Sequence, residues 1–275
     1  MIIVTTVFKY KDKPSDYKRL YQVFMASCAK HMPGVTVKTL KLDVPPAKDN
    51  RKPGIWTNTA KLRAQVNYIK TLKDDVVLAD CDMLCIKPFD DVFKKYDFDI
   101  GITTKPPGVK SSCRINGGII FIRNSAQARA WMQELLKIND RMYKDQAFHN
   151  EWRKKYYGMN QSALGYMLER AKTKARVKEF RTTIWNAVDC DWTNVTDKTR
   201  LVHIKGKLRA CIDKGKSSSK LSRLIAAWND YGGVKPKKKK KKKKKTKEIK
   251  QPAIIKPHPR RRRRSRFSRK QRSRV

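Results

Sequence analysis

Val76-Val77-Leu78-Ala79-Asp80-Cys81-Asp82 is the stretch that decides the fold class of this chain. Four consecutive apolar residues are typical of a strand that is buried on both faces, as in the middle of a parallel sheet. Two acidic residues, one position apart, follow the apolar run directly, and their oxygen atoms suit a divalent cation. Ligands of open α/β sheets bind beyond the carboxyl ends of the strands. The stretch therefore predicts a metal site at the end of a central strand.

Strands and helices alternate on both sides of this stretch. Short apolar or alternating runs predict strands, and apolar residues at helical spacing predict helices. The predicted strands are Met1–Phe8, Val35–Leu42, Asp75–Ala79, Asp99–Thr103, Gly118–Ile122, Val177–Phe180 and Leu201–Ile204. The predicted helices are Ser15–Lys30, Thr59–Lys73, Ala126–Ile138 and Ser162–Ala171. This order predicts an α/β fold with a mainly parallel central sheet flanked by helices.

Acidic pairs with this spacing occur at three places, so the spacing alone identifies no metal site. The pairs are Asp80/Asp82, Asp97/Asp99 and Asp189/Asp191. Only the first pair directly follows an apolar strand, and a second apolar segment follows it and leads to Pro88. Carboxylates that cap a turn are the alternative interpretation of the first pair. The context favours Asp80 and Asp82 as the metal ligands.

Half of the net positive charge lies at the carboxyl-terminal end. The 275 residues include 67 Lys+Arg and 24 Asp+Glu, a net charge of +43. Residues 235–275 hold 23 basic residues and one acidic residue, Glu248, and the rest of the chain holds the other 44 basic and 23 acidic residues. Such a segment repels itself and has almost nothing to bury. We therefore predict a folded domain over 1–231 and a disordered Lys/Arg-rich tail over 232–275.

Two interpretations of the tail remain open. It is either a tether that binds DNA or RNA by neutralising phosphates, or a solvated segment that serves solubility or localisation. Phe267 is its one aromatic residue, so base stacking is not its mode of binding.

Several protein classes do not fit the composition. No apolar run approaches the roughly 20 residues needed to span a bilayer. The six cysteines complete no zinc pattern, and the first residues do not resemble a secretory signal. These observations predict a protein that is not secreted, with reduced thiols, in the cytoplasm or in the nucleus of a eukaryotic host.

Five segments, in order, resemble the GT-A fold glycosyltransferases that use nucleotide-diphospho-sugars. They are Val76–Phe89, Asn116–Ile122, Asn160–Leu164, Trp185–Asn186 and His203–Arg209. They are similar to the metal-binding, Asn-x-Gly, Asp-Gln-x-x-Leu, Trp-Asn and His-x-x-Gly-x-x-Lys segments of the retaining group that includes glycogenin and bacterial lipopolysaccharide galactosyltransferases. The resemblance covers about residues 1–210. Two departures concern sugar and diphosphate contacts, because Asn160 replaces the family's Asp and Arg209-Ala210-Cys211 replaces its Lys-Pro-Trp.

The resemblance implies a set of site residues. Asp80, Asp82 and His203 would hold manganese, or magnesium. The resemblance also implies a nucleotide sugar as the donor, with UDP-sugars as the first candidates. The residues implied to contact it are Thr5, Thr6, Phe8, Lys61, Arg63, Asp80, Cys81, Asn116, Gly117, Gly206, Lys207 and Arg209. The catalytic residues implied are Asn160, Gln161 and Asp82, with Gln161 beneath the anomeric carbon. Asp145-Gln146 is a second match to the Asp-Gln segment. We expect Trp185, Trp192 and Trp228 mainly in the core.

The function predicted in this way is metal-dependent sugar transfer to an acceptor hydroxyl with retention of configuration. The basic tail favours a polyanionic acceptor, such as a modified base in viral or phage DNA, which would have to leave the base stack. A saccharide or protein acceptor is the alternative, with the tail only localising the enzyme. A further alternative is a non-catalytic nucleic-acid-binding protein on a decayed transferase fold.

Overall fold

A computed structural model describes residues 1–9, 16–46, 53–106, 114–188, 192, 195–214 and 221–232, without the side chains of Asp16, Lys207, Asp213 and Lys214. The predicted tail from residue 233 onward lies outside the described residues, as do Asp189 and Asp191. The boundary at 231/232 and the disorder of the tail therefore stay predictions.

Eight strands form two sheets in the described part of the chain. They are β1 (Ile2–Lys9), β2 (Thr36–Asp43), β3 (Val76–Asp80), β4 (Met83–Cys85), β5 (Ile100–Thr104), β6 (Ile115–Ile122), β7 (Val177–Arg181) and β8 (Leu201–His203). The central sheet has the order β2-β1-β3-β6-β5-β7, and β4 pairs with β8 in a small separate sheet. In the central sheet β6 runs antiparallel to both neighbours, and the other adjacent strands are parallel. The prediction of a mainly parallel sheet is confirmed.

Helices cover this sheet. They are α1 (Asp16–His31), α2 (Pro53–Ile69), α3 (Val92–Lys95), α4 (Ala126–Lys144), α5 (Gln146–Arg153), α6 (Met159–Glu169), α7 (Thr182–Trp185), α8 (Gly206–Lys214) and α9 (Ser222–Asp230). Helix α2 begins before the predicted Thr59, at Pro53, since proline is favoured in the first helical turn. Helix α4 continues past the predicted Ile138, because Met142 extends its buried face. None of the described helices is long and apolar enough to cross a membrane.

The core lies on both faces of the central sheet. One cluster joins the sheet to α2, α4 and α6, and a second contains the aromatic rings of Phe121, Phe180 and Trp185, which pack edge to face or tilted. A third cluster, under α1, α8 and α9, contains Trp192 and Trp228. All three predicted core tryptophans are less than 5% exposed. That prediction is confirmed.

Two strand pairings place the end of β3 beside β8. Thr6 of β1 lies opposite Asp80 of β3 in the parallel register, and Met83 of β4 lies opposite His203 of β8. The backbone N–H of Ile204 donates to the carbonyl of Asp82 at 2.8 Å. The turn from β3 to β4 is therefore fixed against the end of a strand that comes much later in the chain.

Candidate metal and nucleotide-sugar site

The structure brings together the three predicted metal ligands. One ligand atom from each of Asp80, Asp82 and His203 lies within 4.8 Å of the others. The Nε2 atom of His203 is 3.2 Å from Oδ1 of Asp82 and 3.8 Å from Oδ2 of Asp80. Two carboxylates and one imidazole form a donor set that fits Mn²⁺. Asp82 and His203 are buried, and Asp80 is partly exposed towards a cleft.

Asn186 fixes the orientation of the His203 ring. Its Nδ2 donates to Oγ1 of Thr103 at 2.9 Å and to Oδ1 of Asn116 at 3.0 Å, so its Oδ1 is left to accept. That Oδ1 is 3.2 Å from Nδ1 of His203, which therefore carries the ring hydrogen when the imidazole is neutral. The lone pair of Nε2 then faces the two carboxylates, as a metal ligand requires. Asn116, predicted as a contact of the nucleotide sugar, belongs to this hydrogen-bond network around His203.

Gly118 is the second support of His203. A Cβ atom at this position would lie 2.5 Å from Nδ1 and 2.6 Å from Cε1 of the ring. Real Cβ atoms do not approach other heavy atoms so closely, and the ring is only 4% exposed. The strand β6 therefore needs a glycine at this point to admit the imidazole.

Two basic side chains neutralise the carboxylates. Nζ of Lys61 lies 2.6 Å from Oδ1 of Asp80, and Nη2 of Arg209 lies 2.5 Å from Oδ2 of Asp82. Burial acts to raise the pKa of Asp82, but His203, Arg209 and Lys61 outweigh it and hold that pKa below its usual value. Burial alone would lower the pKa of Lys61, and the nearby Asp80 reverses the direction. These shifts favour an ionised Asp82 and a protonated Lys61.

An open cleft lies beside this cluster. It is lined by Thr6, Phe8, Tyr17, Thr57, Asn58, Lys61, Asp80, Cys81 and Asp82. Five of these residues are predicted contacts of the nucleotide sugar: Thr6, Phe8, Lys61, Asp80 and Cys81. The remaining helix residues, Tyr17, Thr57 and Asn58, were not predicted. Burial and the two neighbouring carboxylates raise the pKa of Cys81, so it lines the cleft as a neutral thiol.

Helix α8 closes one side of the site. Gly206 begins this helix with a φ of 51°, in the left-handed region that favours glycine. The guanidinium of Arg209 lies 5.0 Å from the centre of the Tyr17 ring, so α8 and α1 meet at the cleft. The side chain of Lys207 lies outside those described.

Other predicted contacts are placed elsewhere. Thr5 is fully buried and is not among the residues that line the cleft, because it points to the opposite face of β1 from Thr6. Arg63 pairs with Asp140 of α4 at 2.7 Å, since residues 61 and 63 are about 200° apart around a helix. The structure therefore brings Lys61 to the cleft and directs Arg63 away from it.

Asn160 and Gln161 also differ in placement. Asn160 lines a narrow crevice with Lys61, Asp80 and Gly117. The carboxamide of Gln161 lies against Gly158, where a Cβ atom would be 2.7 Å from its Oε1. Asp145, in the rival Asp-Gln segment, caps α5 by accepting from the N–H of Phe148 at 2.9 Å. Of these residues, the structure brings Asn160 to the candidate site.

The pair Asp97/Asp99 is structural. Asp99 accepts hydrogen bonds from the Ser125 hydroxyl and from the backbone N–H of Arg176, both at 2.8 Å, and Asp97 pairs with the Arg176 guanidinium. Burial acts to raise the pKa of Asp99, but the Arg176 N–H, the Ser125 hydroxyl and the Arg176 side chain hold it below its usual value.

Asp99→Asn is expected to lower the free energy of unfolding by about 2 kcal/mol at neutral pH, since hydrogen bonds to a charged group are lost. A carboxylate with a depressed pKa stabilises the fold above the ordinary pKa of about 3.9, and this contribution is lost as the pH falls through the folded-state value. Urea unfolding of both proteins from pH 7 to pH 3 should therefore show curves that converge in acid. A difference that stays constant down to pH 3 would contradict this account.

Solved glycosyltransferases share this architecture. One involved in the glycosylation of the major capsid of PBCV-1 aligns over 76% of this chain and 96% of its own, with a TM-score of 0.52 and 10% identity. The galactosyltransferase LgtC, solved with donor and acceptor sugar analogues, aligns over 84% of this chain and 100% of its own, with a TM-score of 0.50 and 13% identity. The fold is GT-A. Apo GlyE of Streptococcus pneumoniae TIGR4 also aligns over 84% of this chain, with a TM-score of 0.50 and 16% identity, but this chain spans only 59% of its length.

Comparison of sequences identifies no relative beyond these solved structures. No protein-family model matches the chain, and no curated protein matches it. At identities of 10 to 16%, the likeness establishes the GT-A fold alone. Any activity has to be argued from the residues at the end of β3.

Proposed function

We propose that this chain is a metal-dependent glycosyltransferase that moves a sugar from a nucleotide diphosphate sugar to an acceptor hydroxyl. UDP-sugars are the first candidates for the donor. The observation that carries the proposal is the convergence of Asp80, Asp82 and His203 at the edge of an open cleft. The GT-A fold supports it, because ligands of such sheets bind at the carboxyl ends of the strands.

The donor set fits a divalent cation, and a neutral imidazole beside two carboxylates suits manganese better than calcium, with magnesium as the alternative. Such a cation would act as a Lewis acid on the diphosphate leaving group. Asn186 keeps the Nε2 lone pair of His203 directed at the carboxylates. Lys61 and Arg209, which pair with those carboxylates, lie where a diphosphate would gain charge-assisted hydrogen bonds.

The sugar would lie beside Asp80, which also lines the narrow crevice that contains Asn160. We propose retention of configuration by front-side return within this site, because an amide such as Gln161 is a poor nucleophile. Proton NMR of the first product formed would show the same anomeric configuration as the donor, and an inverted anomer would overturn this part of the proposal.

The direct test is incubation with UDP-glucose, UDP-galactose and other UDP-sugars in the presence of Mn²⁺. Slow release of UDP that stops on chelation is the expected result, since water can replace a missing acceptor. If no UDP-sugar binds in a metal-dependent manner, the glycosyltransferase proposal fails and the non-catalytic alternative is favoured.

We further propose a nucleic acid as the acceptor or scaffold, for instance a modified base of viral or phage DNA. The support is the sequence charge: residues 235–275 carry 23 basic residues and one acidic residue. Mass spectrometry of the nucleosides of viral or host DNA, with and without the protein, addresses the acceptor. A glycosylated saccharide or protein with unmodified DNA would favour the alternative acceptors.

Deletion of residues 235–275 is expected to flatten the salt dependence of DNA binding, since log K falls by about 0.9 per log unit of salt for each phosphate neutralised. Turnover of a UDP-sugar should be unchanged. Titration of a fluorescent duplex at several salt concentrations measures the slope. The control replaces the segment with a Gly/Ser segment of equal length. An unchanged slope, or loss of turnover, would show that the tail is not a simple tether.

A further inference from the structure

The segment between α5 and α6 carries an exposed tyrosine beside the candidate site. Tyr157 comes three residues before Asn160, which lines the narrow crevice with Lys61 and Asp80. Consecutive Cα atoms are about 3.8 Å apart, so the Cα atom of Tyr157 lies within about 11 Å of that of Asn160. Nδ2 of Asn139 donates to Oδ1 of Asn160 at 3.0 Å and ties the first turn of α6 to α4. Tyr157 therefore lies at the entrance to the site.

The backbone on both sides of Tyr157 is held in place. The ring of Tyr156 is 1% exposed, and a Cβ atom added at Gly165 would lie 2.1 Å from it. The hydroxyl of Ser162 donates to the carbonyl oxygens of Tyr156 and Gly158, both at 2.6 Å. Tyr156 thus points into the core, whereas Tyr157 is 55% exposed. A ring on a fixed backbone loses little conformational freedom when a ligand covers it.

Exposed aromatic rings are not scattered over this protein. Among the large hydrophobic residues that the structure describes, just Tyr17 and Tyr157 are exposed. Tyr17 lines the cleft beside Asp80, and Tyr157 precedes the helix that brings Asn160 to the crevice beside Asp80. Both exposed rings therefore lie at the candidate site.

Positive charge without an acidic partner accompanies Tyr157. Arg153 and Lys154 are exposed, and neither side chain forms an ion pair or a hydrogen bond within the described part of the chain. The same holds for Arg181, which is exposed at the carboxyl end of β7, on the edge of the sheet that carries the site. Glu151 is the one acidic residue over 151–157. Such a surface attracts polyanions.

We propose that Tyr157, Arg153, Lys154 and Arg181 form a basic rim that binds an unpaired segment of a nucleic-acid strand. One base would stack on Tyr157, and neighbouring phosphates would pair with the basic side chains, a combination that holds single strands without reading their sequence. A neutral saccharide would use the ring but not the charges, and an acidic peptide would use the charges but not the ring. The inference rests on the proposed function, because the rim would hold the acceptor strand beside the sugar.

Photo-cross-linking tests where the strand lies. The full-length protein is irradiated with a strand of about 12 nucleotides that contains 5-bromouracil, within the range of site sizes for single strands. Mass spectrometry of the digest is expected to find the peptide that contains Tyr157. Cross-links confined to the tail, where Phe267 is the one aromatic residue, would overturn the proposal. Cross-linking by a DNA or by an RNA strand supports the rim, and the stronger of the two identifies the nucleic acid.

Titration of a fluorescent thymine strand separates stacking from charge. Tyr157→Ala is expected to weaken binding about tenfold, as for the loss of one stacked base, with the salt dependence unchanged. Tyr157→Phe keeps the ring and should bind normally. Arg153→Gln with Lys154→Gln should instead lower the slope of log K against log salt by about 1.4, or about 0.7 for each phosphate.

Two controls accompany these variants. Lys172→Gln with Lys174→Gln removes the same charge from exposed positions beyond the far end of α6, and should leave the slope unchanged. A duplex of equal length has its bases already stacked, so Tyr157→Ala should not weaken its binding. If Tyr157→Ala weakens the duplex, or heparin, as much as the single strand, the rim does not bind unpaired bases and the proposal is wrong.

The outcomes distinguish this proposal from the proposed function. Metal-dependent binding of UDP-sugars by the unsubstituted protein, with equal single-strand binding in Tyr157→Ala, would overturn the rim and leave the glycosyltransferase standing. Binding of single strands that depends on Tyr157, without any metal-dependent binding of UDP-sugars, would support the rim and overturn the transferase.

Discussion

Asp82→Asn is expected to reduce Mn²⁺-dependent release of UDP from a UDP-sugar by about 10³-fold, since loss of a metal that supplies several kcal/mol costs about tenfold for each 1.4 kcal/mol. Asp82 is 7% exposed and lies between the imidazole of His203 and the guanidinium of Arg209. The amide keeps the shape of the side chain but removes the charge that a cation needs. Turnover assays, with Mn²⁺ affinity from electron paramagnetic resonance, measure both effects.

The matched control is Asp97→Asn, which makes the same change in the other described acidic pair. The side chain of Asp97 is 78% exposed and pairs with Arg176, and neither residue lines the cleft. Asp97→Asn should leave both UDP-sugar turnover and Mn²⁺ affinity unchanged. His203→Gln should repeat the loss seen with Asp82→Asn. Normal Mn²⁺-dependent turnover in Asp82→Asn would show that the cluster is not the metal site.

The part of the site that follows β3 could be predicted because its determinants are local in the sequence. An apolar run, Asp80, Asp82 and the later His203 segment are recognisable without coordinates, and the structure places them together. Seven of the eight strands in the described residues and the mainly parallel sheet could be predicted for the same reason, since the alternation of apolar runs and helical patterns is a local property. The short strand β4 was not predicted. The predicted start of α2, at Thr59, was wrong, because proline is compatible both with a loop and with the first turn of a helix, where α2 begins at Pro53.

Residues supplied by tertiary packing could not be found in this way. Tyr17 reaches the cleft because α1 packs against the small sheet and α8, and Asn139 reaches Asn160 because α4 packs on α6. Arg63 shows the converse. Arg63 carries the positive charge expected of a diphosphate contact, but it lies on a different side of α2 from Lys61 and pairs with Asp140. With 67 basic residues, charge alone cannot choose between neighbours such as Lys61 and Arg63.

Gly118→Ala is the second substitution with a large expected effect, a loss of Mn²⁺ affinity of about 10- to 100-fold, as for other changes that displace a metal-ligating histidine. The new methyl group would lie 2.5 Å from Nδ1 of His203 and 3.0 Å from Oδ1 of Asn116. Neither neighbour is the free end of a flexible chain, because Asn186 hydrogen-bonds both. The ring must therefore turn away from Asp82, and overpacking should also lower the free energy of unfolding by about 1–3 kcal/mol.

Gly101→Ala separates the loss of the site from the loss of stability. Its Cβ would lie 2.6 Å from the Phe180 ring, so the crowding is similar, but it falls in the aromatic cluster rather than beside His203. Gly34→Ala, with no atom within 4 Å of its Cβ, controls for the added methyl group itself. Both controls should bind Mn²⁺ normally when folded, although Gly101→Ala should melt earlier. If Gly118→Ala binds Mn²⁺ as tightly as Gly101→Ala does, the position of the His203 ring does not matter to the cation, and His203 is not a ligand.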